Sequence, residues 1–157
     1  MGATRGLDIQ TIFKLLYPSM KRAMVFGSFD IIHRGHLNFL RQARREGRWL
    51  IASVARDEFI KNEKNRIPIH SEQERLTQIL ETGIVKEAYL ADEKTGTYST
   101  VLRAKPDVIC LGHDQDKLRE NLAEWMKKQN FDIPIRVMKP YKRHLYKSSK
   151  LIHRRKA

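Results

Sequence analysis

Cysteine is almost missing from this sequence. Cys110 stands alone, so neither an intrachain disulfide framework nor a four-cysteine zinc site can form. It reads as a small buried side chain at a strand end, in a chain suited to the reducing cytoplasm. Long apolar runs are lacking too, and nothing approaches the roughly 20 residues of a membrane-spanning helix. The N-terminus has no long apolar core or small-residue cleavage site and does not read as a secretory signal. Aromatic residues are only 8% of the chain and do not interleave with the basic runs. No RNA or DNA motif is recognisable, which leaves nucleic acid an unexpected partner.

What the sequence does have is positive charge. Against 18 acidic residues stand 31 lysines and arginines, a formal net charge of +13. Such a surface draws polyanions: nucleic acid, anionic lipid or phosphorylated small molecules. The cations are spread over residues 41–48, 61–66, 139–150 and the Arg154-Arg155-Lys156 tail, so most read as solvated surface. A chain of 157 residues suits one domain. We divide it into an N-terminal extension, 1–21, with a short amphipathic piece at 9–16, and a domain over 22–157.

Within that domain short apolar runs alternate with helix-spaced segments. Strands are expected at 23–26, 49–55, 87–90, 108–111 and 133–138. Helices are expected at 35–46, 71–81, 98–104, 117–129 and 148–155. Ser71-Glu72-Gln73-Glu74 fits a capping box. The alternation predicts an α/β fold, a Rossmann-like, doubly wound parallel sheet of five strands with helices on both faces. Ligands of such sheets bind at the carboxyl ends of the strands. Gly27 and Gly112 each follow a predicted strand directly, so both fall on that edge.

Gly27-Ser28-Phe29-Asp30-Ile31-Ile32-His33-Arg34-Gly35-His36 concentrates the chemistry. A glycine ends the strand and lets the backbone turn close to a ligand. A helix then starts near His33 to Gly35, and its N–H groups and dipole favour an anion such as phosphate. His33 and His36 stand three apart on the first turn. Imidazoles there can donate hydrogen bonds to phosphoryl oxygens as charge develops. Asp30, His33 and His36 could instead be three metal ligands, but a fourth is not evident. A histidine near a helix start can also simply cap it.

The segment resembles the H-x-G-H signature, in its longer form G-T-F-D-x-x-H-x-G-H, of the cytidylyltransferase-like nucleotidyltransferase superfamily, with Ser28 replacing threonine. The resemblance runs from about Arg22 to Arg155. Arg56-Asp57 followed by Lys61, Lys64 and Arg66 resembles the family's basic loop after the second strand. Glu74-Arg75 resembles its E-R helix motif, Gly112-His113-Asp114-Gln115 its G-x-D-Q turn, and Ser148-Ser149-Lys150 its closing segment. Two branches are near: glycerol-3-phosphate cytidylyltransferase, which uses CTP, and archaeal-type FAD synthase, which transfers AMP from ATP to FMN. The Ala55-Arg56-Asp57-Glu58 run, the Gly112-x-Asp114-Gln115 turn and the Ser148-Ser149-Lys150 ending resemble the second branch more.

The resemblance implies a transfer of a nucleoside monophosphate from ATP or CTP to an anionic phosphorylated acceptor, with Mg²⁺ bound alongside the nucleotide. His33, His36 and Lys64 become the catalytic candidates. Gly27, Ser28, Phe29, Arg34, Gly35, Asp114, Tyr141, Ser148 and Ser149 become the nucleotide contacts. Arg66 and Arg75 become the phosphate and acceptor contacts, and a homodimer is expected. Plainer roles compete. Lys64 and Arg66 suit a solvated loop, Asp114 a helix cap, Tyr141 a surface ring, and Ser148 and Ser149 a helix start. The rival function is a non-catalytic nucleotide- or nucleic-acid-binding protein.

Overall fold

A computed structural model describes residues 6–17 and 20–141. Its elements run α1 (Ile9–Leu16), β1 (Arg22–Gly27), α2 (Arg34–Glu46), β2 (Trp49–Val54), α3 (Asp57–Lys64) and α4 (Glu72–Glu81). They continue β3 (Glu87–Leu90), α5 (Ser99–Ala104), β4 (Val108–Leu111), α6 (Asp116–Gln129) and β5 (Ile135–Val137). The five strands form one sheet in the order β3-β2-β1-β4-β5. Every pairing is parallel, with Ala23 opposite both Leu50 and Val108.

The period of two along each strand explains why helices cover both faces. Ala23 and Val25 of β1, Leu50, Ala52 and Val54 of β2, and Val108 and Cys110 of β4 point one way. There they meet Leu40 and Ala43 of α2 and Ile79 of α4. Met24, Phe26, Ile51, Ile109 and Leu111 point the other way, onto Val101 and Ala104 of α5 and Leu122, Trp125 and Met126 of α6. Cys110 is fully buried. Burial, with a smaller push from Glu46, raises its thiol pKa to about 12, so it packs as an apolar side chain rather than acting as a nucleophile.

Among the described residues the expected boundaries hold to within a residue or two, and one helix is added. Residues 57–64, expected as a basic loop, form α3. Asp57 and Glu58 open this helix, while Lys61 and Lys64 close it, so both ends complement its dipole. Its inward side is little more than Ile60, too faint a periodicity to announce a helix. Strand β5 is shorter than expected. Only the forward bond of the expected capping box is seen: Ser71 Oγ accepts from the N–H of Glu74 at 3.2 Å. The C-terminal helix expected at 148–155 lies outside the described residues.

Candidate active site

The strand order reverses between β1 and β4, and both end at the same edge. Connections leave in opposite directions there, opening the crevice that doubly wound sheets use for ligands. Gln115 joins the two turns at this point. Its Nε2 donates to the Phe26 carbonyl at 2.9 Å, and its Oε1 accepts from the Gly112 N–H at 2.7 Å. Both ends of one amide are thus used to hold β1 and β4 in register where they stop.

Glycine at position 27 is required by its neighbour in the turn. A Cβ there would lie 2.8 Å from the Phe29 ring. Phe29 is itself buried and takes a left-handed backbone (φ 50°), a conformation unfavourable for a bulky side chain. Its ring meets His36 edge-on at 5.7 Å. Gly27 therefore makes room for Phe29, and Phe29 supports His36.

His33 caps α2 with its ring. Its Nδ1 accepts from the N–H groups of Gly35 at 3.0 Å and His36 at 3.3 Å. The His33 N–H in turn lies 3.4 Å from His36 Nδ1, and the two rings stack with centroids 3.8 Å apart. This corrects the expectation of free backbone N–H groups at the helix start, because the cap occupies those of Gly35 and His36. An acceptor at Nδ1 assigns the proton of neutral His33 to Nε2. Burial lowers the pKa of His33. Burial, followed by the neighbouring His33, pushes that of His36 down to about 3. The pair is neutral near pH 7.

Asp30 is fully buried. Its carboxylate accepts from the N–H groups of Ile69 and His70, both at 2.9 Å, and from Arg66 Nη1 at 3.1 Å. His70 Nδ1 donates to the Asp30 carbonyl at 2.7 Å. Burial alone would raise the Asp30 pKa, but these donors outweigh it and hold it below the ordinary 3.8. With its oxygens committed to the 66–70 loop, Asp30 does not complete a metal set with His33 and His36. Among the described residues no group of three His, Cys, Asp or Glu side chains could hold a metal ion.

The basic residues divide by depth. Lys64 reaches the turn from α3, with Nζ 3.4 Å from Ser28 Oγ. Desolvation and then the Arg66 charge lower its pKa, while Asp114 pulls the other way. Lys61 stays outside, paired with Glu58 at 3.3 Å. Arg75 departs most from expectation: it is fully buried. Its guanidinium donates to His70 O at 3.1 Å, Ser28 O at 2.8 Å and Asp57 Oδ1 at 2.7 Å. This arginine is a strut beneath the turn, its three bonds all made to protein oxygens.

Of the other candidates, Arg34 is exposed at the first position of α2 and Gly35 follows it. Asp114 is exposed, one position ahead of Gln115, which stands at the N-terminus of α6. Tyr141 is half-buried, two residues beyond Lys139, which Gln42 of α2 holds at 2.9 and 3.0 Å. Ser148 and Ser149 lie outside the described residues. The sequence offered Asp30 only as a possible metal ligand and gave Gln115 no separate role. Each was a polar residue inside a quoted motif yet next to buried strand ends, and that was the available signal. Beyond β3 the same edge opens into a cleft of about 430 Å³ lined by Arg56, Ala91, Asp92, Ser99 and Arg103.

The chain is similar to several known proteins. The cytidylyltransferase-like family matches residues 24–155. The FAD synthase of Thermococcus kodakarensis is 37% identical over 134 residues, covering 85% of this chain and 90% of that protein. The FAD synthase of Methanosarcina barkeri is 38% identical over 120 residues, 76% of this chain and 83% of that one. Among solved structures, a lipopolysaccharide core biosynthesis protein from Thermoplasma volcanium superposes with a TM-score of 0.72 at 36% identity, over 78% of this chain and 99% of that one. A pantoate-β-alanine ligase from Francisella tularensis shares the fold at 16% identity, with a TM-score of 0.63, over 92% of this chain and 69% of that one. The chain belongs to the cytidylyltransferase-like family and is a nucleotidyltransferase.

Proposed function

We propose that this enzyme transfers AMP from ATP to FMN, giving FAD and pyrophosphate. The observation that carries the reading is the overlap of two facts. The relatives named FAD synthase align over most of the chain, and the paired imidazoles stand at the switch point of the sheet. An oxygen of the FMN phosphate attacks the α-phosphorus of ATP, the bond to the β-phosphate oxygen breaks, and pyrophosphate leaves. The attacking oxygen is already ionised, so no protein nucleophile is required. The protein positions the two phosphates and stabilises developing charge.

In this reading His33 and His36 donate hydrogen bonds from neutral rings to the α-phosphate, and Lys64 neutralises the charge that builds there. The turn from Gly27 to Phe29 shapes the seat. Ser28, Arg34 and Gly35 line the nucleotide side, and Asp114 and Tyr141 hold ribose and base. Ser148 and Ser149 are the remaining nucleotide contacts. Arg66 steadies the loop that carries acceptor charge, and Arg75 supports that loop from below. A divalent cation, Mg²⁺, would bind with the triphosphate and would supply charge neutralisation there. No helix of the described residues is long and apolar enough to cross a membrane. The working unit is a cytoplasmic homodimer.

Incubating the enzyme with FMN and either ATP or CTP, and separating the products chromatographically, tests this. FAD and pyrophosphate should form with ATP. Turnover only with CTP and a phosphorylated alcohol would overturn the choice of substrates. Salt-resistant nucleic-acid binding with no turnover of any nucleotide would overturn the enzymatic reading altogether.

A further inference from the structure

Helix α1 is turned inside out. Its sequence Ile9-Gln10-Thr11-Ile12-Phe13-Lys14-Leu15-Leu16 places apolar residues along one broad stripe, and such a stripe ordinarily faces a core. Here Ile9 is 81% exposed, Leu15 69% and Leu16 67%, with Ile12, Phe13 and Tyr17 exposed beside them. The polar positions Gln10 and Thr11 are the more covered ones. The helix is nevertheless well made: Asp8 caps it, accepting from the Thr11 N–H at 2.7 Å. Asp8 also pairs with Lys105 at 3.4 Å, immediately ahead of β4. So α1 sits by the amino ends of the strands, at the opposite edge of the sheet from Gly27 and Gly112. It also lies ahead of residue 24, where the family match begins.

We propose that the outward stripe of α1 (Ile9, Ile12, Phe13, Leu15, Leu16 and Tyr17) is the dimer seat, covered by the same stripe of a second copy of this chain. The inference rests on the homodimer reading above and adds to it a specific surface; it does not depend on the substrates. Area is the first argument. At these exposures the stripe leaves several hundred Å² of contiguous apolar surface in water, on the order of the ~800 Å² that one partner gives to a standard interface. Monomers rarely expose a patch of that size. Symmetry is the second. A two-fold contact brings the same patch to itself, and this stripe carries no charged residue that would be opposed by its own copy. A membrane is the poorer fit. Interfacial helices set many lysines and arginines around the apolar stripe, whereas α1 has the single lysine at position 14 and turns Gln10 and Thr11 toward its own domain. The contact leaves the nucleotide edge of both copies open.

Sedimentation velocity over a dilution series, at low and high salt, measures the mass directly. The wild-type chain should run at twice its 18.5 kDa monomer mass when concentrated and fall toward the monomer when dilute. High salt should not dissolve an apolar contact between two basic chains. Ile9→Glu with Leu16→Glu should hold the protein at monomer mass while FAD formation per chain persists. Amide exchange of residues 9–16 in the wild-type chain should slow with concentration, a readout that needs no variant. A wild-type chain that stays monomeric when concentrated would overturn both the α1 seat and the homodimer. A dimer that survives the double substitution, with α1 amides exchanging equally fast at every concentration, would overturn the seat alone. A monomer that co-sediments with anionic vesicles through α1 would overturn it in favour of a lipid surface.

Discussion

Asp30 and Arg66, thirty-six positions apart, meet at 3.1 Å and fasten the 66–70 loop to the His33–His36 turn. The carboxylate is buried and also holds the N–H groups of Ile69 and His70. Two parts of the site that are remote in sequence thereby become one body.

Asp30→Asn keeps the shape but places an amide N–H against backbone donors. We expect it to lower unfolding free energy by about 2 kcal/mol and to raise KM for the nucleotide. Urea denaturation and steady-state kinetics measure the two effects. The pH sign follows from the lowered pKa of Asp30. The stability it contributes is whole above the ordinary 3.8 and is lost as pH falls through its depressed value. Wild type should therefore lose more stability in strong acid than Asp30→Asn does.

Arg75 and Lys64 should separate structure from binding. Removing the buried Arg75 guanidinium as Arg75→Met strands the Ser28 and His70 carbonyls and Asp57. It should cost about 3 kcal/mol of stability. Lys64→Met touches only the mouth of the turn. It should leave stability within about 0.5 kcal/mol while raising KM for the triphosphate roughly tenfold, worth about 1.4 kcal/mol. Equal stability losses in the two variants would contradict the division by depth.

Gln115→Leu removes both amide bonds between the β1 and β4 turns. The Gly112 N–H and the Phe26 carbonyl lose their partner, at a cost of about 1–3 kcal/mol. Because the turns frame the crevice, nucleotide affinity should fall as well, which isothermal titration reads directly.

The imidazole pair has its own pH signature. Burial and then His33 put His36 at about 3 in the free protein, against an ordinary 6.5. Between those values the unfolded chain holds a proton that the folded chain lacks. The stability due to neutral His36 is thus whole above 6.5 and declines as pH falls below it. A bound triphosphate brings negative charge and should raise the pKa of both rings. Imidazole resonances followed by NMR should titrate at higher pH with ATP than without.

Much of this was legible in the residues. Alternation of apolar runs with helical spacing gave the parallel sheet, because a strand buried on both faces leaves a dense apolar run at Met24, Val25 and Phe26. The two glycine-ended strands located the crevice. Helix α3 was hidden because one apolar residue, Ile60, makes almost no periodic signal. The burial of Arg75 was hidden for a different reason. Charge alone suggests a phosphate, whereas its partners are carbonyls contributed by His70 and Ser28, and backbone partners of that kind leave no mark in a sequence. The stacked geometry of His33 and His36 was likewise invisible, although their spacing announced that they belonged together.

The central claim is that this imidazole pair stabilises transfer at the α-phosphate. Single-turnover FAD formation by His36→Ala, with ATP and FMN saturating and folding checked by the unfolding midpoint, measures it most directly. A rate at least about a hundredfold below wild type, with cooperative unfolding retained, is expected. Near-normal turnover by folded His36→Ala would contradict the assignment of the chemistry to this turn.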